Sequence, residues 1–247
     1  MRSPLGLLAA GLLAISLPAG VGLARSGIET RPVSFPAGAD STRIQGQLKG
    51  DQTVDYTLRA GAGQTLTVEL QASNPQAYFN VIAAGSDSAR FVGSTSGNRF
   101  SGLLPSDGEV TLRLYLMRPA AQRQEKSTYT LRVAIRGVPL APLPASRDAL
   151  IPGTPYHASS EVPCGAGVGG KASRCKASVI RRANSGATVV VVSPEGQKRQ
   201  FLFVKGKAVA SDQPETLSVQ RRGDVSVLRL GENGEHYEIV DALVLGG

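Results

Sequence analysis

The chain has 247 residues, with 27 Lys or Arg against 19 Asp or Glu, a net charge of +8, two Cys, two His and no Trp. That length accommodates one large or two modest domains. The basic excess is spread over both halves instead of forming a stripe with interleaved aromatics, which excludes a typical nucleic-acid binder, while a mild positive field favours acidic partners.

Residues 1–24, MRSPLGLLAAGLLAISLPAGVGLA, carry one charge at Arg2 and then an apolar run. The run ends with Gly22 and Ala24 at the positions that precede a cut before Arg25, the anatomy of a secretory signal peptide. A retained anchor needs about 20 apolar residues in a row, and Ser16, Pro18 and Gly20 interrupt this one. No other segment is apolar enough to span a bilayer. The expectation is therefore an exported chain, periplasmic or secreted and from a Gram-negative envelope, with no membrane span after cleavage.

Residues 25–137 alternate with period two. Val54, Tyr56 and Leu58 share one face, as do Leu66, Val68 and Leu70. Leu112, Leu114 and Leu116 oppose Arg113, Tyr115 and Met117, and Tyr129, Leu131, Val133 and Ile135 again fall on one side. This is the pattern of strands half buried in an antiparallel sheet. Turn residues at Gly50–Asp51, Gly61–Gly63 and Ser106–Gly108 separate them. The fold class is all-β, with an N-terminal antiparallel β-sandwich of jelly-roll type.

Residues 138–158, VPLAPLPASRDALIPGTPYHA, hold five prolines and little charge, a composition that predicts an extended, semi-rigid linker. Residues 159–247 read as a smaller β-rich domain of unknown role. ATVVVVS and RQFLFVK flank Pro194–Gly196, and VSVLRL and HYEIV flank Gly231–Gly234, two hairpin patterns. In an exported chain Cys164 and Cys175 pair first as a local disulfide. The metal alternative has only His157 and His236 to add, without zinc spacing. GAGVGG at 165–170 matches a dinucleotide fingerprint as a string, but reads as a flexible disulfide loop with no strand before it or helix after it. No G-x-S-x-G elbow is present, and neither His is tied by spacing to a nucleophile. No enzyme activity, cofactor or metal is expected.

IQGQLKGDQTVDYTLRAGAGQTLTVEL, YFNVIAAGSD, FVGSTSGNRFSGLLPSDGEVTLRLYLMR and AQRQEKSTYTLRV together resemble the periplasmic inhibitors of goose-type (g-type) lysozyme. Shared features are the DYTL–AGQ–V opening, an L-P-x-D-G turn, a strand ending in Arg and a closing Y-x-L-x-V strand. The resemblance covers roughly residues 31–137, and the opening and closing patterns also occur in pre-peptidase C-terminal-type sandwiches. It implies an exported lysozyme inhibitor, with a g-type lysozyme as protein partner and an occluded acidic cleft as the mechanism. The runner-up is a non-catalytic accessory module that binds peptidoglycan or another anionic envelope glycan.

Several lysozyme-inhibitor families carry a Ser-Gly-x-x-Tyr loop, and Ser96, Gly97, Asn98, Arg99 and Phe100 match it with Phe in the aromatic place. The resemblance implies a second basic contact loop here, with Tyr115, Arg118 and Arg123. An inserted Arg would pair the catalytic carboxylates of a lysozyme through its guanidinium fork. The alternatives are a turn with Phe100 tucked into the sandwich end, a solvated basic loop, and a surface cross-strand Tyr115. Tyr78 and Asn80 are further edge candidates, with core packing as their alternative.

Overall fold

The computed structural model describes residues 27–86, 88–167, 172–232 and 234–246. The expected signal peptide lies outside the described residues, as do positions 168–171 of the disulfide loop. The N-terminal strands are β1 (Glu29–Pro32), β2 (Ser41–Lys49), β3 (Val54–Ala60), β4 (Thr65–Ala72), β5 (Ala77–Ile82), β6 (Ala89–Val92), β7 (Arg99–Leu103), β8 (Gly108–Leu116) and β9 (Lys126–Arg136). One-turn helices α1 (Gly93–Ser96) and α2 (Arg118–Gln122) join β6 to β7 and β8 to β9.

Among the described residues these strands form two facing sheets, ordered β1-β3-β8-β5-β6 and β2-β9-β4-β7. The alternating residues fall inward as their spacing requires: Tyr56, Leu66, Val68, Leu112, Leu114, Leu131 and Val133 are all buried in one core. Phe79, Phe91 and Phe100 stack through that core with centroids 5.1 and 5.4 Å apart. A buried hydrogen bond between the Tyr56 and Tyr129 hydroxyls, 2.9 Å, ties the two sheets near one end.

The remaining strands are β10 (Ala158–Gly165), β11 (Ala172–Arg182), β12 (Gly186–Val192), β13 (Lys198–Val204), β14 (Lys207–Ser211), β15 (Leu217–Arg222), β16 (Val225–Leu230) and β17 (His236–Val240), followed by α3 (Asp241–Leu245). They make a single sheet ordered β14-β13-β12-β11-β10-β17-β16-β15 around a core that includes Val179, Val189, Phe201, Phe203, Leu228 and Ile239. Both expected hairpins are present, β12 with β13 and β16 with β17. Cys164 and Cys175 form the disulfide, buried in this core, between β10 and β11. The expectation that no strand precedes GAGVGG is corrected: β10 runs up to Gly165 and pairs with β11. Its exposed residues Ser159, Ser160, Glu161 and Pro163 give it no apolar alternation to read. Among the described residues no helix is long and apolar enough to cross a membrane.

Residues 138–157 are bound on both sides. Leu140 N–H donates to Ala62 O at 2.9 Å, and Leu143 N–H donates to Arg181 O at 2.8 Å. His157 is buried, accepts from Arg181 N–H at Nδ1 (3.0 Å), and so carries its proton on Nε2, 3.0 Å from Leu143 O. That histidine pins the segment to β11.

Candidate functional site

Strand direction sorts the sandwich connections into two poles. The β3–β4, β5–β6 and β7–β8 turns lie at one pole. The β2–β3, β4–β5, β6–β7 and β8–β9 connections lie at the other.

The first pole is occupied. Arg182, whose side chain has no exposure, donates to Asp107 Oδ2 at 2.6 Å, to Leu140 O at 2.9 Å and to Thr188 Oγ1 at 2.8 Å. The Thr188 hydroxyl donates onward to Pro105 O at 2.7 Å. Gln200 Nε2 donates to Ala84 O at 2.8 Å, and Ser88 Oγ to Gln213 Oε1 at 3.2 Å. Ala62, Leu202 and Ala210 are buried together, with Leu103, Leu140 and Val204 packed against them. Burial lowers the pKa of Arg90, which the Asp212 carboxylate supports in the charged form, and burial raises that of Asp212 in turn. The L-P-x-D-G turn therefore fastens the C-terminal sheet to the sandwich through its Pro105 carbonyl and Asp107 carboxylate.

The opposite pole has no hydrogen bond to the C-terminal sheet among the described residues and is open in that sense, and both candidate loops are there. Asn98 Nδ2 donates to Ala77 O at 3.1 Å, and Met117 N–H donates to Gln76 O at 2.9 Å. The start of β5 thus lies between the two loops. Asn80 Oδ1 accepts from both Gly93 N–H (3.3 Å) and the Tyr115 hydroxyl (3.2 Å), coupling the second candidate group to the first.

The G-S-T-S-G run is shaped by its two glycines. A Cβ at Gly93 would collide with the Phe79 carbonyl, so only glycine lets α1 lie on β5. Gly97 has φ of 87° with open space around it, so it is needed for its backbone angle alone. Ser96 and Gly97 are exposed. Asn98 is half-buried and stitches the strands: its carbonyl accepts from Leu70 N–H at 3.0 Å. Arg99 leaves 74% of its side chain exposed and pairs with Glu69 at 3.3 Å.

Phe100 departs from the expectation of a contact residue. It is only 8% exposed, stacked on Phe91, with the Arg90 guanidinium 5.6 Å from its ring centre. Alternation on β7 turns Arg99 outward and hence the next residue inward. The ring anchors the loop from beneath.

Tyr115 is half-buried on the outer face beside its cross-strand neighbour Tyr78. Arg118 opens α2, exposed and without an ion pair among the described residues. Arg123 pairs with Glu125 at 2.7 Å. Hydrogen bonds from the Asn74 amide and from Arg123 hold the Glu125 carboxyl below the usual range. Asn80, an edge candidate from the sequence, braces the pole through its side-chain oxygen. Sequence reading missed Asn74, whose amide donates to Glu125, Gln76, whose backbone carbonyl accepts from Met117, and a cleft of about 380 Å³ beside the pole lined by Glu29, Arg31, Lys49, Asp51 and Gln124. Only the positions of Asn74 and Gln76 in the turn before β5 could have marked them.

The architecture defines a class, a β-sandwich protein presenting two braced loops at one pole with a second β unit fixed at the other. No protein-family model matches the chain, and no curated protein matches it. Among solved structures it is similar to the periplasmic inhibitor of g-type lysozyme from Aeromonas hydrophila, with 34% identity over 44% of this chain and 97% of that one and a TM-score of 0.40. The mutant Escherichia coli inhibitor gives 26% identity over 44% and 100%, with a TM-score of 0.36. The Salmonella Typhimurium inhibitor gives 24% over 44% and 98%, also with a TM-score of 0.36. By its identity to the Aeromonas protein along nearly all of that protein's length, the chain belongs to the family of periplasmic inhibitors of g-type lysozyme.

Proposed function

We propose that this protein is an exported, non-catalytic inhibitor of a g-type lysozyme, and that the open pole of its sandwich is the inhibitory surface. The observation that carries this reading is the convergence of the β6–β7 and β8–β9 loops around Ala77 on a family member whose other pole is closed by its own C-terminal sheet. Ser96, Gly97 and Arg99 form the first contact loop, with Asn98 and Phe100 holding its shape. Arg118 leads the second, with Tyr115 and Arg123 beside it. A lysozyme cleft carries acidic catalytic groups, and exposed guanidinium groups on a positively charged protein are attracted to such a cleft and can pair with it. In this reading residues 25–137 are the inhibitory domain, 138–158 a fixed connector and 159–247 a second domain at its rear. That the similar inhibitors are periplasmic supports export by cleavage of residues 1–24.

The test is lysis of cell walls by a g-type lysozyme, titrated with the full chain. Lysis should stop near one inhibitor per enzyme. Arg118→Ala should raise the concentration needed by about tenfold or more, as loss of one interfacial charge contact does. Undiminished lysis at large excess of inhibitor would refute the reading.

A further inference from the structure

The outward face of the β2-β9-β4-β7 sheet has a charge arrangement that folding does not require. Register places Arg43 directly opposite Arg132, Arg132 opposite Glu69, and Glu69 opposite Arg99. One carboxylate thus stands among three guanidinium groups in a single rung across the sheet, and it pairs with Arg99 alone. Six residues along β2, on the same face, Lys49 lies directly opposite Lys126. Both opposed pairs are exposed, and none of Arg43, Arg132, Lys49 and Lys126 makes an ion pair among the described residues. Like charges directly opposite one another weaken a sheet. Two such pairs on one face, with Glu69 the only acidic residue in these four strands, indicate a surface shaped for an anion.

Between the two pairs lie Gln45 opposite Thr130 and Gln47 opposite Thr128, amide and hydroxyl rungs without charge. At roughly 3.3 Å per residue the cationic pairs are about 20 Å apart. Two depressions of about 570 and about 460 Å³ follow one another along this stretch, the first beside Arg43 and Arg132, the second beside Gln45 and Thr130. The aromatic residues of these strands, Phe100 and Tyr129, both point inward.

We propose that this face binds an extended anionic polysaccharide, with the two cation pairs holding acidic groups and the Gln/Thr rungs meeting hydroxyls between them. Charge complementarity sets the sign of the partner. The lack of outward aromatic rings disfavours stacked nucleic-acid bases. The lack of an apolar strip on the face disfavours insertion into a lipid surface. The face meets the lysozyme-directed pole at Arg99 and at the Lys49–Lys126 end, while Arg43 and Arg132 lie outside the contact loops, and the proposal does not depend on that reading.

The experiment measures binding of the full chain to heparin, polygalacturonate and neutral dextran, with anionic phospholipid vesicles as a fourth probe. Wild type should bind both acidic polysaccharides, weaken with salt and ignore dextran. Arg43→Ser with Arg132→Ser, and separately Lys49→Ser with Lys126→Ser, should each weaken binding by about tenfold or more. Arg174→Ser with Lys176→Ser, which removes the same charge from the C-terminal sheet, should change it by less than about twofold. The thermal midpoint of the Arg43/Arg132 variant should not fall, and its inhibition of lysozyme should be retained. Equal loss in the C-terminal control would reduce the effect to net charge and overturn the proposal. Binding to vesicles without binding to either polysaccharide would overturn it too, as would unchanged affinity in both face variants.

Discussion

Replacing Asp107 by Asn probes the joint between the two β units. The Asn Oδ1 can still accept from Ala62 N–H, which Asp107 Oδ1 does at 2.9 Å. The amide, however, removes the negative charge that faces Arg182 at 2.6 Å and can present a donor to a donor. Removing one partner of a fully buried ion pair costs about 3–5 kcal/mol. The Asp107 side chain is 43% exposed, so water replaces part of what is lost. Arg182 keeps its bonds to Leu140 O and Thr188 Oγ1, while its Nη2 is already buried without a partner. A destabilisation of about 2–3 kcal/mol follows, near the value of one hydrogen bond between charged groups. For a chain of this size that is a fall of roughly 5–10 °C in thermal midpoint. Denaturation followed by calorimetry and by tyrosine fluorescence measures it. In the Asp107→Asn background, Arg182→Met should cost less than it does alone, because the orphaned buried charge is then gone. A midpoint within about 1 °C of wild type would show that the turn does not fasten the C-terminal sheet, whatever the contact geometry.

Phe100→Ala should destabilise by about 3–5 kcal/mol in urea titration, since it empties a ring-sized space between Phe91 and Arg90. Phe100→Tyr, which restores the family aromatic, should also destabilise, by about 1–3 kcal/mol, through a buried hydroxyl without a partner. A stable Phe100→Tyr variant with tighter lysozyme binding would contradict the anchoring role. Cys164→Ala with Cys175→Ala should cost roughly 3 kcal/mol by freeing the unfolded chain, read as a lower urea midpoint. Glu235 is penalised by burial but held below its ordinary value of 4.5 by hydrogen bonds from Arg199 and Tyr237. Its folded carboxyl therefore binds protons less readily than the unfolded one, so the pair stabilises above about pH 4.5 and the contribution disappears as pH falls through the lower folded value. Arg199→Gln should cost about 2 kcal/mol at pH 7, and the gap from wild type should close as the solution is acidified through the lowered Glu235 value. A gap that persisted there would place the cost in packing instead.

The sandwich could be read from its residues because burial there follows a strict period of two. Leu112, Leu114 and Leu116 and their counterparts on β3, β4 and β9 all point inward as spacing required. The hairpins β12–β13 and β16–β17 were marked by glycine turns for the same reason. β10 was not, since its outward residues are polar and its inward ones are few. The role of Phe100 depended on which way one side chain faces, and a Ser-Gly-x-x-aromatic string carries no face. Once Arg99 is seen exposed in β7, the inward turn of Phe100 follows from the pleat. The joint through Asp107 and Arg182 joins residues 75 positions apart, a separation that no local pattern encodes. The Arg43–Arg132 and Lys49–Lys126 pairs were equally hidden, because they appear only when β2 and β9 are placed in register.

The most direct measurement of the central claim is amide hydrogen exchange on the full chain, free and in complex with a g-type lysozyme. Slowed exchange should appear in residues 94–99 and 117–125, at the open pole. Residues 84–86, 88 and 105–107, beneath the C-terminal sheet, should exchange as in the free protein. Protection confined to the outer sheet face or to the C-terminal sheet, or no complex at all, would contradict inhibition by the open pole.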